Sequence, residues 1–337
     1  MGKNIINIAL FGLGRIGQMH ADNLLNHKDF NLRYIFDKDQ KLTKNLSKRY
    51  NATDIQNPRI AFKDKNIKCI FIASSTNTHL KYIEEAVSNK KDVFCEKPLD
   101  LDLKKIDICK KKISKYNPKI QMGFNRRYDP AHNSLNQNLL KGKIGKLEKI
   151  IITSRDPEPP SIKYLKTSGG IFKDMMIHDF DMVNFLFEGL PKSIMVSASS
   201  VIDKKISELG DYDTAVATLK FADGRLVVIK NSRRAAYGYD QRIEILGSKG
   251  LLQVQNVVED GIIKSTEMGV QSSKPEYFFL ERYKAAYQKE WAAFVSAVQL
   301  KTPVPVTLAD GISALAMAEA AAVSAKAGSE VELANFL

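Results

Sequence analysis

Ile5-Ile6-Asn7-Ile8-Ala9-Leu10-Phe11-Gly12-Leu13-Gly14-Arg15-Ile16-Gly17 decides the fold: an apolar run, a glycine-punctuated turn, then a helix-like stretch from Gln18 to His27. Strand, turn and helix in that order place Gly12 at the tight turn. Gly14 lets backbone approach a pyrophosphate, and Gly17 allows close helix–strand packing, while the helix start offers N–H donors. A lone G-x-G-x-x-G is weak, but here a second apolar run, Leu32–Phe36, ends in Asp37 about twenty residues beyond the turn, the context a dinucleotide site requires. An acid there accepts hydrogen bonds from ribose hydroxyls and repels a 2′-phosphate, so NAD is expected over NADP, with Lys38 beside it softening the repulsion. Gly12, Gly14, Arg15, Ile16, Gly17 and Asp37 form the first candidate cofactor set.

Alternation of strands and helices continues outward. Cys69–Ala73 reads as a buried strand, Thr76–Asn89 as a helix, Asp92–Cys95 as a strand, Leu99–Tyr116 as a lysine-coated helix and Lys119–Met122 as a last strand. The pattern predicts a doubly wound parallel sheet, whose ligands sit at the carboxyl ends of the strands. Ser74-Ser75-Thr76-Asn77-Thr78-His79 and Glu96-Lys97-Pro98 fall at those ends, adding Ser74, Asn77, His79, Glu96 and Lys97 to the cofactor candidates. Thr76 or Asn77 equally suits a helix cap. Lys97 closes a central strand beside proline, where a stiffly held cation can stabilise a developing alkoxide.

A second stretch carries acid–base potential: Ser168-Gly169-Gly170-Ile171-Phe172-Lys173-Asp174-Met175-Met176-Ile177-His178-Asp179-Phe180-Asp181. On a helix, Asp174, His178 and Asp181 share one face, so the two acids are expected to bracket the imidazole and hold or tune its proton. The alternative is a helix with solvated acids and a packed histidine.

From about residue 146 the pattern shifts to two-residue alternation: Leu147–Ser154, Ile194–Ser200, Ala215–Phe221, Leu226–Asn231, Arg242–Leu246 and Leu251–Val254, with hairpin signals at Ala222-Asp223-Gly224 and Gly247-Ser248-Lys249-Gly250. A large, mostly antiparallel, open-faced sheet is expected. Helices follow around Arg282–Leu300, with the single tryptophan Trp291, and at about Leu308–Ala327, separated by Pro303 and Pro305. The fold class is α/β plus α+β: a Rossmann domain over 1–123 and a substrate-binding domain over 124–337, whose C-terminal helix can pack back on the first.

Bulk properties fit this frame. The 337 residues are 44% hydrophobic and 26% charged, as in a folded soluble chain with material for two cores. The formal charge of +13 comes from dispersed lysines, without the aromatic-interleaved or arginine-rich patterns that read nucleic acid and without zinc-ligand spacing. Cys69, Cys95 and Cys109 have no C-x-x-C spacing and read as buried thiols of a reducing compartment. Ile5–Phe11 is too short for a secretory core, Ile6 stands where Met1-Gly2 acylation would want Ser or Thr, and no stretch approaches the roughly 18 apolar residues that span a bilayer. A cytoplasmic protein without nucleic-acid or membrane partners is expected.

Taken together, Gly12–Gly17, Glu96-Lys97-Pro98 and Asp174-x-x-x-His178 resemble the Gfo/Idh/MocA family of nicotinamide-dependent oxidoreductases, over essentially the whole chain. Within that family, Gly123-Phe124-Asn125-Arg126-Arg127-Tyr128-Asp129-Pro130, Ser154-Arg155-Asp156-Pro157 and the Ser168–Asp181 stretch are most similar to inositol 2-dehydrogenases, although Lys173 stands where arginine is frequent, a change expected to concern the helix surface. The resemblance implies NAD-dependent oxidation of one ring hydroxyl of myo-inositol to 2-keto-myo-inositol, a catalytic set of Lys97, Asp174 and His178, and a homotetramer joined through the open sheets. A polyol needs many fixed hydroxyl partners, for which Asn125, Arg127, Asp156, Asp174, His178 and Tyr239 are the candidates, Tyr237 competing with Tyr239. A related polyol or sugar dehydrogenase acting on scyllo-inositol or a glucose-like ring, and an NAD-binding regulator without turnover, are the rivals.

Overall fold

The computed structural model describes residues 5–187 and 189–337; Met1-Gly2, read above for acylation, lies outside them. Two compact units are present. The first ends at Asn125 and takes in Tyr287–Ile312; the second is Arg126–Ala286 with Ser313–Leu337. The sequence reading gives 124–337 to the second domain, with a C-terminal helix able to pack back on the first; the segment that groups with the first unit is Tyr287–Ile312.

In the first unit, strands β1 (Ile6–Phe11), β2 (Phe30–Phe36), β3 (Thr53–Asp54), β4 (Cys69–Ile72), β5 (Asp92–Glu96) and β6 (Ile120–Gly123) form a six-stranded sheet ordered β3-β2-β1-β4-β5-β6. Every pairing is parallel. Leu10, Phe11 and all of β4 are fully buried, as a sheet covered on both faces demands of its central strands. The strand order reverses between β1 and β4, which opens a crevice beyond their carboxyl ends. The helices Arg15–Leu25, His79–Ser88 and Leu103–Ile113 follow the reading. An unanticipated helix, Gln40–Tyr50, is capped by Asp39, whose carboxylate accepts the N–H groups of Lys41 and Leu42.

Trp291 explains the return of 287–312. Its ring centroid lies 4.7 Å from Phe94, 5.0 Å from Phe71 and 5.2 Å from Phe30, so it fills the aromatic floor of the parallel sheet. The N–H of Met122 then donates to the Val306 carbonyl at 3.0 Å, which ties the returning segment to β6.

The second unit is built on β7 (Leu147–Arg155), β8 (Ser193–Ser199), β9 (Thr214–Lys220), β10 (Leu226–Ser232), β11 (Asp240–Gly247) and β12 (Gly250–Val254), followed by a two-stranded hairpin, β13 (Ile263–Thr266) with β14 (Gly269–Ser272), and a short β15 (Val331–Glu332). The large sheet has the order β12-β11-β7-β10-β9-β8-β15, antiparallel except where β10 meets β7. One face is core: Ile150, Ile194, Ala217, Leu219, Val227, Ile229 and Ile245 are buried. The residues between them, Met195, Val216, Leu226, Leu246 and Leu251, are exposed on the other face, as period-two alternation requires.

One expectation about membranes is corrected. The helix Leu308–Ala327 is long and apolar enough to cross a bilayer by length and composition, alone in this among the described residues. Its burial explains that composition. Leu315, Met317 and Ala321 are inaccessible, and the Ser324 hydroxyl accepts the Val196 N–H at 2.9 Å, so this is a helix packed on several sides.

Candidate active site

The glycine turn of the first unit is sterically specified. Gly12 has φ +95°, and a Cβ there would collide with the Ala73–Ser74 backbone; one at Gly17 would collide with the Gly12 carbonyl. Gly14 is different. A Cβ on it would meet nothing within 4 Å, which is the open space a pyrophosphate would occupy. Gly14 also caps the helix Arg15–Leu25 with no side-chain hydrogen bond, leaving uncapped N–H donors at the positive end of the helix dipole. Arg15 is exposed and Ile16 half-buried beside them. Asp37 is fastened to the same turn: its Oδ2 accepts the Leu13 N–H at 2.7 Å and its Oδ1 the Asp39 N–H at 3.0 Å. These residues fit a dinucleotide.

The loops after β4 and β5 complete this rim. The Ser74 and Thr78 hydroxyls are 2.6 Å apart, and Asn77 is exposed. Neither Thr76 nor Asn77 caps the following helix; its capping position is Thr78, without a side-chain bond. His79 is buried, with Nε2 2.9 Å from the Ser74 carbonyl and Nδ1 2.8 Å from the Pro98 carbonyl, and burial lowers its pKa. Its ring therefore braces the two loops from within. Lys97, half-buried, precedes a cis bond to Pro98, and its N–H donates to Glu96 Oε2 at 3.2 Å.

In the second unit the acid–imidazole stretch departs from the simple helix. Phe172–Met176 forms a π-helical turn, and the regular helix begins only at Ile177. Such turns insert a residue into the α-helical ladder. Asp174 is half-buried on this turn, accepting the Tyr164 hydroxyl at 2.7 Å, with Arg233 Nη1 3.4 Å from its other oxygen. Arg233 is wholly buried and also faces Asp211 at 3.8 Å. Burial and the neighbouring Asp174 push the Tyr164 pKa up, which keeps its hydroxyl a donor. His178 is half-buried one residue into the regular helix.

Asp181 corrects the bracketing expectation. Its carboxylate is buried and bidentate to Arg127, with Nη2 at 2.6 Å and Nε at 2.9 Å. Arg127, expected to contact substrate, presents its fork to this internal pair. Asp179 is likewise turned inward, accepting Arg126 at 2.6 Å, the Ser154 hydroxyl at 2.6 Å and the Asn231 amide at 2.7 Å. Two buried arginines thus anchor the helix that carries His178. Lys173 is no surface lysine either, since its ammonium meets Glu319 at 2.6 Å in a partly buried pair.

Of the remaining substrate candidates, Asn125 is buried with its amide Nδ2 donor unmatched, and Asp156 is half-buried beyond β7. Tyr239 is buried edge-on to Tyr283, and burial holds its pKa well above the ordinary value. Tyr237 is exposed, its hydroxyl 2.6 Å from both Asp240 and Arg155. Tyr164, Arg233 and Arg126 escaped the sequence reading as partners of the motif. Arg126 had a signal in its place beside Arg127, whereas Tyr164 and Arg233 had none.

Comparison with known proteins closes the identification. The oxidoreductase family with an NAD-binding Rossmann fold matches residues 6–124, and the GFO/IDH/MocA C-terminal domain matches residues 132–253. The chain is 40% identical over 333 residues to a myo-inositol 2-dehydrogenase of Thermotoga maritima, covering 98% of this chain and 100% of that one. A solved myo-inositol dehydrogenase from Corynebacterium glutamicum superposes with a TM-score of 0.94 at 38% identity, covering 98% and 99% of the two chains. A scyllo-inositol dehydrogenase from Lactobacillus casei, solved with NAD(H) and scyllo-inositol, gives a TM-score of 0.92 at 28% identity over 98% and 100%. The chain belongs to the GFO/IDH/MocA family of oxidoreductases, with an NAD-binding Rossmann domain in its first unit.

Proposed function

We propose that this protein oxidises one secondary ring hydroxyl of myo-inositol to the ketone, 2-keto-myo-inositol. Its main support is a half-buried carboxylate, Asp174, held by Tyr164 and Arg233 four residues before His178, in a chain matching a myo-inositol 2-dehydrogenase along its whole length. When bound, NAD supplies the acceptor for the hydride leaving the ring carbon. The uncapped N–H groups behind Gly14 would hold its pyrophosphate, with Ser74 and Asn77 on the same rim, and Asp37 its ribose.

The chain's own residues then deal with the proton and the charge. An alcohol proton cannot leave unaided near neutrality, so His178 accepts it, an imidazole's ordinary pKa of about 6.5 suiting that task. Asp174 orients the imidazole, and its own position is set by the Tyr164 hydroxyl. Lys97 stabilises the oxygen's developing negative charge. Asn125, Asp156 and Tyr239 contribute hydroxyl contacts, and Arg127 serves by anchoring the His178 helix through Asp181.

This reading places the enzyme in the cytoplasm, in keeping with three buried free thiols at Cys69, Cys95 and Cys109. It also makes the enzyme a homotetramer, in keeping with the exposed apolar residues on the outer face of the seven-stranded sheet. The test is reduced-cofactor absorbance with NAD or NADP against a polyol panel. NAD with myo-inositol should give the highest kcat/KM. A higher value with scyllo-inositol would reassign the substrate, and silence across the panel would favour an NAD-binding regulator. Light scattering checks the tetramer.

A further inference from the structure

Glu96 ends β5, and its carboxylate is engaged from two sides. Oε1 lies 2.9 Å from Nε2 of His20, and Oε2 accepts the Lys97 N–H at 3.2 Å. His20 projects from the helix Arg15–Leu25 and is wholly buried. Its second nitrogen, Nδ1, lies 2.9 Å from Nε1 of Trp291. An indole N–H can only donate. Nδ1 must therefore accept, the ring proton must sit on Nε2, and Nε2 must donate to Glu96.

The direction of every bond follows: Trp291 donates to His20, His20 to Glu96, and the Lys97 N–H to the far oxygen of the same carboxylate. Aromatic neighbours wedge the imidazole in place, with Phe71 at 4.5 Å and Tyr287 at 5.3 Å between ring centroids. The adjoining strand reserves room for the carboxylate, since a Cβ on Gly123 would come within 3.0 Å of both Cδ and Oε2 of Glu96.

We propose that Trp291 and His20 are positioning residues for Lys97, locking the Glu96 carboxylate as an acceptor aimed at the lysine's N–H and so setting where the strand end presents its ammonium. The proposal rests on the reading that Lys97 stabilises the alkoxide. Hydrogen bonds linked in a dry interior polarise one another and resist reorientation. Their leverage is large, because a displacement of about 1 Å at a reacting group can cost on the order of 10²-fold in rate.

The chain has one tryptophan, so a single indole N–H resonance reports on the network. Nitrogen-15 spectra should show the His20 proton on Nε2. His20→Leu should move the indole signal upfield and lower kcat about ten-fold or more, with NAD affinity retained. Trp291→Phe, which keeps an aromatic ring and deletes the donor, should lower kcat in the same sense. His20→Gln, whose amide offers both an acceptor and a donor, should recover most of the loss. An indole signal indifferent to His20→Leu overturns the proposal, as does unchanged kcat in both His20→Leu and Trp291→Phe beside a lowered Tm. Lys97→Ala is measured in parallel. Full turnover there overturns the lysine reading and this proposal with it, whereas lost turnover there with unchanged kcat in the other two variants overturns this proposal alone.

Discussion

In the first unit the polar groups at the strand ends lean on backbone and a neutral imidazole: Asp37 on the Leu13 N–H, His79 between two carbonyls, Glu96 on the Lys97 N–H and on His20. In the second, acids around the His178 helix lean on guanidinium groups: Asp179 on Arg126, Asp181 on Arg127, Asp174 on Arg233. Backbone partners come from loops already shaped by glycine and proline, so each contact there is an ordinary hydrogen bond. Guanidinium partners lie 53, 54 and 59 residues away in sequence, on the turn Asn125–Tyr128 and just past β10, and each removal leaves an acid without its cation. The two units should therefore respond to truncation on different scales.

Arg127→Ala is the sharpest probe of that difference. It would leave the Asp181 carboxylate buried without its bidentate cation, a change expected to cost about 3–5 kcal/mol. Asp37→Ala, which leaves only the Leu13 and Asp39 N–H groups unmatched at the part-exposed turn, should cost about 1–3 kcal/mol. Urea denaturation of both variants measures the gap. Equal losses would mean that the arginine pairs are no stronger anchors than the turn.

Catalysis should divide along the same line. Lys97→Ala and His178→Ala are each expected to lower kcat by about 10²-fold or more, equivalent to about 2.7 kcal/mol or above, because each removes a group that the proposed mechanism sets on the reacting oxygen. NAD affinity, which rests on the glycine turn, should survive in both. Steady-state kinetics with myo-inositol and titration of cofactor binding would check this, and undiminished turnover in either variant would remove that residue from the mechanism.

What could be read from the chain alone follows the same physical divide. The strand–glycine turn–helix of residues 6–25 and the acid just past β2 are local patterns, and strands β7 to β11 show their alternation over seven to nine residues. Asp174 and His178 could be singled out as an acid and an imidazole four residues apart because they lie on one continuous stretch. The π-helical turn was not, since no side-chain pattern announces an inserted residue in a helical ladder. Nor was the inward turn of Asp181, whose partner is 54 residues away, or the burial of Trp291 beneath a sheet whose strands precede it by some two hundred residues. The helix Gln40–Tyr50 carries a local signal in its N-cap Asp39, which makes it legible on the same terms as the glycine turn.

Two buried histidines carry the comparison into pH. His132 in the second unit donates from Nδ1 to the Arg126 carbonyl at 3.2 Å, and its pKa is pushed down to about 4 by burial, with Arg282 and Arg126 adding to the effect and Asp129 opposing it. The unfolded chain takes up that proton near 6.5. The stability His132 contributes is thus present above pH 6.5 and is lost as pH falls toward 4, by up to about 3 kcal/mol. His79 in the first unit is also lowered by burial, but two carbonyls oppose the shift, so its slope should be shallower. Urea denaturation across pH 4 to 7 for His132→Gln and His79→Gln gives the two slopes. Similar flattening in both would show that burial alone, and not the flanking arginines, governs these sites.

The smallest expected effect is at Asp37, where the backbone-held style permits a substitution the second unit would not. Asp37→Asn removes the charge that a 2′-phosphate would meet, while its amide oxygen can still accept the Leu13 N–H and keep the turn in shape. One charge at about 4 Å is worth roughly 1 kcal/mol in a watery setting and more where water is thinned, so the preference for NAD over NADP should fall by about ten-fold. Lys38, exposed beside it, would help the phosphate once the acid is gone. Dissociation constants for the two cofactors decide it, and an unchanged ratio would place the source of discrimination elsewhere on the rim. The matching change in the second unit, Asp181→Asn, would strand the Arg127 guanidinium in the interior, so the same one-atom exchange should tune selectivity in one unit and undermine folding in the other.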